Sequence, residues 1–327
     1  MRQLITTSYK PSPIANTQLE LFGDNKTLIK SKGRPKINAN KFIISEVHDM
    51  DGDGEFNLKD VAKQLKANKQ NEWMPLEGDG DFRSDECIDL LKQSDIVVTN
   101  PPFSLFREYV KQLVDYNRMV VIIGSMNAIT YKEIFPLIKN NKLWLGNGFH
   151  AGNAYFYTPN TRKFASGVFD VKTGLVKFRN VCWFTNLDHG RRHQPLPLMT
   201  MRENLKYSKH KQIKGKTKYD KYDNYDAIEV PFTDAIPSDY DGVMGVPISF
   251  LDKYNPEQFE IVGMCENIDL YKLKTKVYTT AECKQAYLDK FGKKGTYDLN
   301  ASGVVIRSDL LEKVYQRVLI RHKEITI

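Results

Sequence analysis

Residues 95–103 read Asp-Ile-Val-Val-Thr-Asn-Pro-Pro-Phe. Ile96 to Thr99 is a short β-branched run bounded by a polar turn, the pattern of a buried parallel strand. Asn100, Pro101, Pro102 and Phe103 follow at its carboxyl end, where open α/β sheets place their ligand chemistry. Both prolines lack an N–H and hold φ near roughly −65°, so the turn is stiff. It leaves the Asn100 amide and the Pro101 carbonyl as preset acceptors. An exocyclic amine aimed at both oxygens loses conjugation with its ring and offers its nitrogen lone pair to an electrophilic methyl. Phe103 supplies a face on which such a base can stack. Four residues alone could be an accident of a loop; a strand directly before and a helix directly after favour a site.

Outward from this turn the text alternates. Asp85 to Lys92 is expected to be helical, and Leu105 to Tyr116 reads as a helix with apolar spacing at Leu105, Phe106, Tyr109, Val110 and Leu113. Met119 to Ile123 reads as a fully buried strand and Tyr131 to Lys139 as another helix. Leu143 to Leu145 and Val181 to Thr185 read as further strands, the second ending in Asn186. Alternation of strand and helix argues for an α/β fold, a doubly wound, Rossmann-like sheet with helices on both faces. From Arg191 to Pro256 the chain turns loop-like, rich in Pro, Tyr, Asp and Lys.

Upstream the signals are of other kinds. Residues 1–40 are polar and poorly periodic and are expected to be a flexible basic arm. Gly33-Arg34-Pro35 flanked by lysines resembles the minor-groove AT-hook core or is a basic linker. Residues 40–68 look like helix, loop, helix, so a helix-loop-helix module is expected over 41–75. The loop carries Asp49, Asp51, Asp53, Glu55 and Asp60 around Gly54, close to the EF-hand calcium-loop pattern with Asp at the last position. Calcium is thus a candidate ligand. The first helix of a helix-turn-helix DNA reader (Leu58 to Leu65) and a polar turn capped by acids stay open beside it.

The 327 residues carry a net charge of +8 with a pI near 9.0, which favours a polyanionic partner. Between Arg202 and Lys221 lie Arg202, Lys206, Lys209, Lys211, Lys214, Lys216, Lys218 and Lys221 against only Glu203 and Asp220, with Tyr207 and Tyr219 interleaved. A solvated loop and a phosphate-binding face both fit. Beside a base-modifying turn, phosphate contact is favoured. Arg202, Lys206, Lys214, Lys216 and Lys218 are the candidate DNA contacts, within a target-recognition region placed at 191–260. No apolar run reaches the roughly 18 residues of a membrane helix, and no signal-peptide pattern opens the chain. Cys87, Cys182, Cys265 and Cys283 form no Cys-x-x-Cys pair, so a reduced, cytoplasmic setting is expected. His189 and His193 share no metal-ligand spacing with the cysteines.

Longer words carry a resemblance. Gly78 to Ser84, Ser94 to Tyr109, Ile129 to Glu133, Leu143 to Gly146 and Thr185 to Asp188 look like the EcoRI-type adenine-specific DNA methyltransferases. So do Tyr222 to Ile228, Gly242 to Ile248, Phe250 and Asn255 to Glu260. The likeness covers roughly residues 76–262, a catalytic core over 76–190 and the recognition region, with a C-terminal α/β extension over 261–327. It implies methyl transfer from S-adenosylmethionine to adenine N6 in a short duplex DNA site, in a setting of restriction and modification; no residue pattern names a protein partner, and a monomer is one expectation. It maps catalysis onto Asn100, Pro101, Pro102 and Phe103. The Gly80-Asp81-Phe82 word then holds the cofactor, Asp81 accepting from its adenine amine; a helix cap is the other reading of Asp81. The target base must leave its stack. Residues 1–75 contain neither Phe-x-Gly-x-Gly nor an Asp-Pro word at a strand end. The alternative is therefore a catalytically impaired DNA-binding relative without the cofactor-binding half.

Overall fold

The structure, a computed structural model, describes residues 3–10, 17–18, 29–30, 39–45, 48–50, 52–54, 72–147, 153–157, 164 and 166–323. The chain divides into two units, Met1–Asp95 and Ile96–Ile327. The boundary falls within the stretch read from sequence as one catalytic core.

In the first unit, β1 (Leu4–Thr7), β2 (Asn40–Ile44) and β3 (Glu72–Pro75) form an antiparallel sheet in the order β1-β2-β3. This corrects two expectations. Leu4–Thr7 is a strand rather than part of an arm, and Asn40–Ile44 is a strand where the first helix of a helix-loop-helix was expected. Lys41-Phe42-Ile43-Ile44 is rich in aromatic and β-branched residues, and pairing on both edges satisfies its backbone in a way a lone helical turn could not. The second helix of that module and the Gly33-Arg34-Pro35 core lie outside the described residues. Helix α1 (Asp85–Gln93) follows, capped by Ser84, with Asp85 and Glu86 in its first turn. Glu86 accepts from Lys41 Nζ of β2 and from the Glu77 amide, each at 2.8 Å. Foremost the hydrogen bond from Lys41 lowers the Glu86 pKa.

The second unit begins with a crossover. Strand β4 (Ile96–Thr99), helix α2 (Phe106–Asp115) and strand β5 (Met119–Ser125) follow in order, and β4 pairs parallel to β5 from Ile96↔Met119 to Thr99↔Ile122. Phe106, Val110 and Leu113 recur at helical spacing and are all buried, as are Val120 and Ile122 on alternate positions of β5. Each such side chain contributes about 1.5–3 kcal/mol of burial. Met119 stays 40 % exposed, so β5 is buried on alternate residues rather than throughout. Helix α3 (Phe135–Lys139) is shorter than the expected 131–139 because Pro136 sits at its start, where proline is tolerated, and cannot be preceded by helix. Strands β6 (Trp144–Leu145), β7 (Asn153–Tyr157), β8 (Phe169–Asp170), β9 (Leu175–Arg179) and β10 (Val181–Thr185) come next.

The sheet order is β4-β5-β10-β6, with β10 antiparallel to both neighbours. Among the described residues the sheet is thus mixed, with β4 and β5 as its parallel pair. A β-ribbon (β7, β8, β9), with no helical crossover among the described residues, leads into β10 and returns it antiparallel. Strand β4 is the outer strand among the described residues. Val98 is 70 % exposed, where a buried strand was expected.

Residues 191–256 are less loop-like than expected. After helix α4 (Met201–Tyr207), strands β11 (Ala227–Glu229), β12 (Val243–Pro247) and β13 (Phe259–Met264) join β16 (Arg317–His322) in the order β11-β12-β16-β13. Between them lie helix α5 (Thr280–Phe291) and the hairpin of β14 (Val304–Arg307) with β15 (Leu310–Lys313). Ile228, Val230, Ile236, Met244, Val246, Phe250 and Ile320 form the core here. A buried ion pair crosses it: Arg317 Nη2 donates to Glu229 at 2.6 Å, and the Tyr222 hydroxyl donates to the same carboxylate. No described helix is long and apolar enough to cross a membrane.

Candidate active site

The Asn-Pro-Pro-Phe turn sits where β4 ends, at the carboxyl edge shared with parallel β5. Pro101 is buried and anchors the turn, while Asn100 and Pro102 are exposed. Pro102 has φ −55° and ψ 126°, and its carbonyl accepts from the Leu105 amide at 2.9 Å, starting a short 3₁₀ turn that runs into α2. Phe103 opens that turn and is 45 % exposed, a large apolar ring left half in solvent at the strand end. Among the described residues, neither the Asn100 amide nor the Pro101 carbonyl has a hydrogen-bond partner. Two acceptors and an uncovered ring on one rigid turn can bind a planar base carrying an amine. The carbonyls accept its protons and the ring stacks on its face.

At the opposite, amino end of β5 the sheet is stapled by polar groups. Thr185 Oγ1 donates to the Val120 carbonyl at 2.6 Å, and Asn186 accepts from the Val120 amide and donates to the Arg118 carbonyl. Phe106 of α2 meets Phe184 of β10 at 5.0 Å between ring centroids, which fixes the helix that follows the turn. Cys182 is buried and its thiol is pushed far above the usual range by desolvation, so it is an inert wall residue.

Asp81 and Phe82 lie in the first unit. Asp81 accepts from the Arg83 amide and Nε on one oxygen and from Nη2 on the other at 2.6 Å; the hydrogen bond from Arg83 holds its pKa below the usual carboxylate value. Its carbonyl accepts from the Ser84 amide, so the residue shapes the turn into α1. A carboxylate offers about four acceptor sites, and Oδ2 keeps one beyond those occupied by Arg83. The Arg83 guanidinium lies over the Phe82 ring, 5.3 Å from its centroid. Gly80, φ +77°, lies so close to the Ser8 carbonyl that a Cβ there would overlap it.

The basic stretch separates into two kinds of residue. Arg202 and Lys206 project from α4 and are exposed, as are Lys214 and Lys218. Lys216 does not join them: it pairs with Asp220 at 2.9 Å, and Arg307 of β14 binds the same carboxylate at 2.8 Å. Lys209 likewise pairs with Asp234, which also accepts from His210, itself stacked on Phe232. Asp220 stands four residues after Lys216 and is visible in the sequence, whereas Arg307 and Asp234 lie far from the lysines in the chain.

The described part of the Asp-rich loop gives calcium no support. The Asp49 carboxylate accepts from the Gly52 and Gly54 amides at 2.7 and 2.8 Å. No group of three or more His, Cys, Asp or Glu side chains able to hold a metal is found among the described residues. Asp51, Glu55 and Asp60 lie outside them.

Residues 1–323 match the family described as adenine-specific methyltransferase EcoRI. The chain is 49 % identical over 195 residues to the type II methyltransferase M.EcoRI of Escherichia coli, covering 59 % of this chain and 57 % of that protein. It is 41 % identical over 214 residues to the type II methyltransferase M.MgeORF184P of Mycoplasma genitalium, covering 62 % and 63 %. With the type II methyltransferase M.MpnI of Mycoplasma pneumoniae it shares 39 % over 235 residues, 68 % and 69 % of the two chains. The matched stretch thus spans less than two thirds of the first two relatives. No solved structure matches.

Proposed function

The chain belongs to the adenine-specific EcoRI methyltransferase family, and we propose that it transfers a methyl group from S-adenosylmethionine to adenine N6 within a specific duplex DNA site. The observation that carries this is the pair of unpartnered acceptors, Asn100 Oδ1 and the Pro101 carbonyl, beside the half-exposed Phe103 ring. The adenine leaves its stack at a cost of a few kcal/mol. Stacking on Phe103 offsets about 1–3 kcal/mol of it. Asn100 and Pro101 accept the two amine protons, which aligns the nitrogen lone pair away from the ring plane. When bound, S-adenosylmethionine would supply an electrophilic methyl on sulfonium, whose carbon–sulfur bond would break to leave a neutral thioether. As the N6–methyl bond forms, one amine proton is lost from N6 to solvent beside exposed Asn100. The work of this chain is positioning.

In this reading the β4-α2-β5 crossover is the catalytic half of a Rossmann-like sheet. Asp81 would hold the cofactor's adenine amine through the free acceptor site on Oδ2, with Phe82 beside it. Arg202, Lys206, Lys214 and Lys218 contact phosphates. The protein is expected in the cytoplasm, where its DNA lies. Purified protein, labelled S-adenosylmethionine and mixed-sequence duplex test the proposal. Transfer to adenine is expected, and Asn100→Ala should reduce kcat on the order of 10²–10³-fold, as loss of one preorganised polar contact to the reacting group does. Absence of transfer, or transfer indifferent to Asn100→Ala, overturns it.

A further inference from the structure

The ribbon of β7, β8 and β9 presents an aromatic surface that the catalytic turn leaves unexplained. Its order is β8-β9-β7, antiparallel throughout, and Tyr155 lies opposite Lys177, Tyr157 opposite Leu175 and Asn153 opposite Arg179. Side chains alternate between faces along a strand, so these six share one face. The other face is in part packed: Ala154 and Val176 are buried, and Phe156 and Phe178 meet edge to face at 5.5 Å while each stays about half exposed. The first face is the more open of the two at its tip. Tyr155 is 56 % exposed and Tyr157 78 %, and Lys177 Nζ lies 5.6 Å from the Tyr155 ring centroid. Beside this pair is an open trough of about 590 Å³, whose lining includes Tyr155, Val168, Phe169, Asp170, Leu175 and Lys177.

Position and charge say what this face meets. The register Val181↔Ser125 puts the start of β10, and hence the base of the ribbon, at the carboxyl end of β5. Asn180, at φ +57°, makes the turn there; its carbonyl accepts from the Met126 amide and its side chain donates to Ser125 Oγ. Since Thr99 pairs with Ile122, that is also the edge at which Asn100 lies. β10 is two strands from β4, roughly 10 Å at about 4.8 Å per strand, less than the approximately 12 Å of a major groove. Residues 151–180 hold Arg162, Lys163, Lys172, Lys177 and Arg179 against Asp170 alone. Aromatic rings interleaved with cations on a ribbon suit a polyanion that also offers bases to stack on.

We propose that the Tyr155, Tyr157 and Lys177 face of this ribbon contacts the DNA substrate beside the extruded adenine, stacking on exposed base or sugar surface and neutralising phosphate. This rests on the reading of the chain as a DNA methyltransferase. Anisotropy of a labelled duplex separates the two, because it measures binding without methyl transfer. Tyr157→Ala and Tyr155→Ala should weaken duplex binding roughly tenfold or more. Lys177→Gln should reduce the slope of log affinity against log salt by about one. Tyr315→Ala, removing an 88 % exposed tyrosine elsewhere in the second unit, should leave binding unchanged and serves as control. Unchanged melting temperatures of the ribbon variants establish that they fold. If those variants bind as wild type does, or alter only self-association in sedimentation, the ribbon proposal is overturned while methyl transfer stands. If wild type binds duplex through the ribbon but transfers no methyl, the enzymatic reading fails and the ribbon stands. If wild type binds no duplex, both fall.

Discussion

Asn100 and Lys216 show how differently two sequence-picked residues fare once placed. Asn100 needs only its neighbours in the chain: a strand, two prolines and a helix aim it, and all are local. Lys216 depends on Asp220 and on Arg307, ninety-one residues onward. Lys216→Ala should therefore act on folding, lowering the urea midpoint while leaving the salt slope of DNA binding unchanged. Lys214→Ala with Lys218→Ala should do the opposite, reducing that slope by about two with little change in midpoint. Equal effects from both sets would refute the assignment. Gly80 is a second residue whose role is local geometry. At φ +77° and against the Ser8 carbonyl it admits no side chain. Gly80→Ala should destabilise the first unit by about 1–3 kcal/mol, read as faster amide exchange in β1 and in the turn before α1.

At the scale of elements, strand and helix positions near the catalytic turn were legible because their periodicity is strong: α2 and β10 fall where the apolar spacing puts them. Pairing was not legible. Whether β10 runs parallel or antiparallel depends on what lies between it and β6, and residues 146–180 carry no signal of a crossover beyond their aromatic ribbon. Likewise Asn40–Ile44 reads as the start of a helix only while its two partner strands are unseen. Contacts between elements also carry the pH response. His193, in the turn after β10, meets Asp188 at 2.8 Å and Glu257, just before β13, at 3.0 Å. The hydrogen bond with Asp188, foremost, raises the His193 pKa from 6.5, and the same contact lowers that of Asp188 from 3.8. The histidine contribution is complete below pH 6.5 and is lost as pH rises through the elevated folded value; the aspartate contribution is lost only as pH falls below 3.8. Between pH 6 and 8 the urea midpoint of wild type should fall more than that of His193→Gln. Parallel pH profiles would show that this link contributes nothing.

Over the second unit as a whole, the segment around Tyr222–Glu229, within the region expected to recognise the target, is tied to residues 276–317. Buried Asn224 donates to the Ser302 carbonyl and accepts from the Val304 amide, each at 2.9 Å. Asp223 accepts from Lys276 and from the Tyr278 hydroxyl, both at 2.7 Å. Glu229 receives Arg317, and desolvation with the adjacent Glu229 charge pushes the Tyr222 pKa far up, keeping that phenol a neutral donor. Gly245 and Gly303 lie so close to the Tyr222 ring that neither position has room for a Cβ. Such links span 53 to 88 residues, so no local pattern announces them. Arg317→Met keeps the side chain's apolar bulk but leaves the Glu229 carboxylate, 3 % exposed, with the Tyr222 hydroxyl and no cation. Removing one partner of a buried pair costs about 3–5 kcal/mol. Denaturant unfolding should show a loss of that order in the second unit, and Glu229→Gln with Arg317→Met together should recover part of it because no buried charge remains. Independent, additive losses would mean that Glu229 and Arg317 are not energetically coupled, and that β16 is held by apolar packing alone.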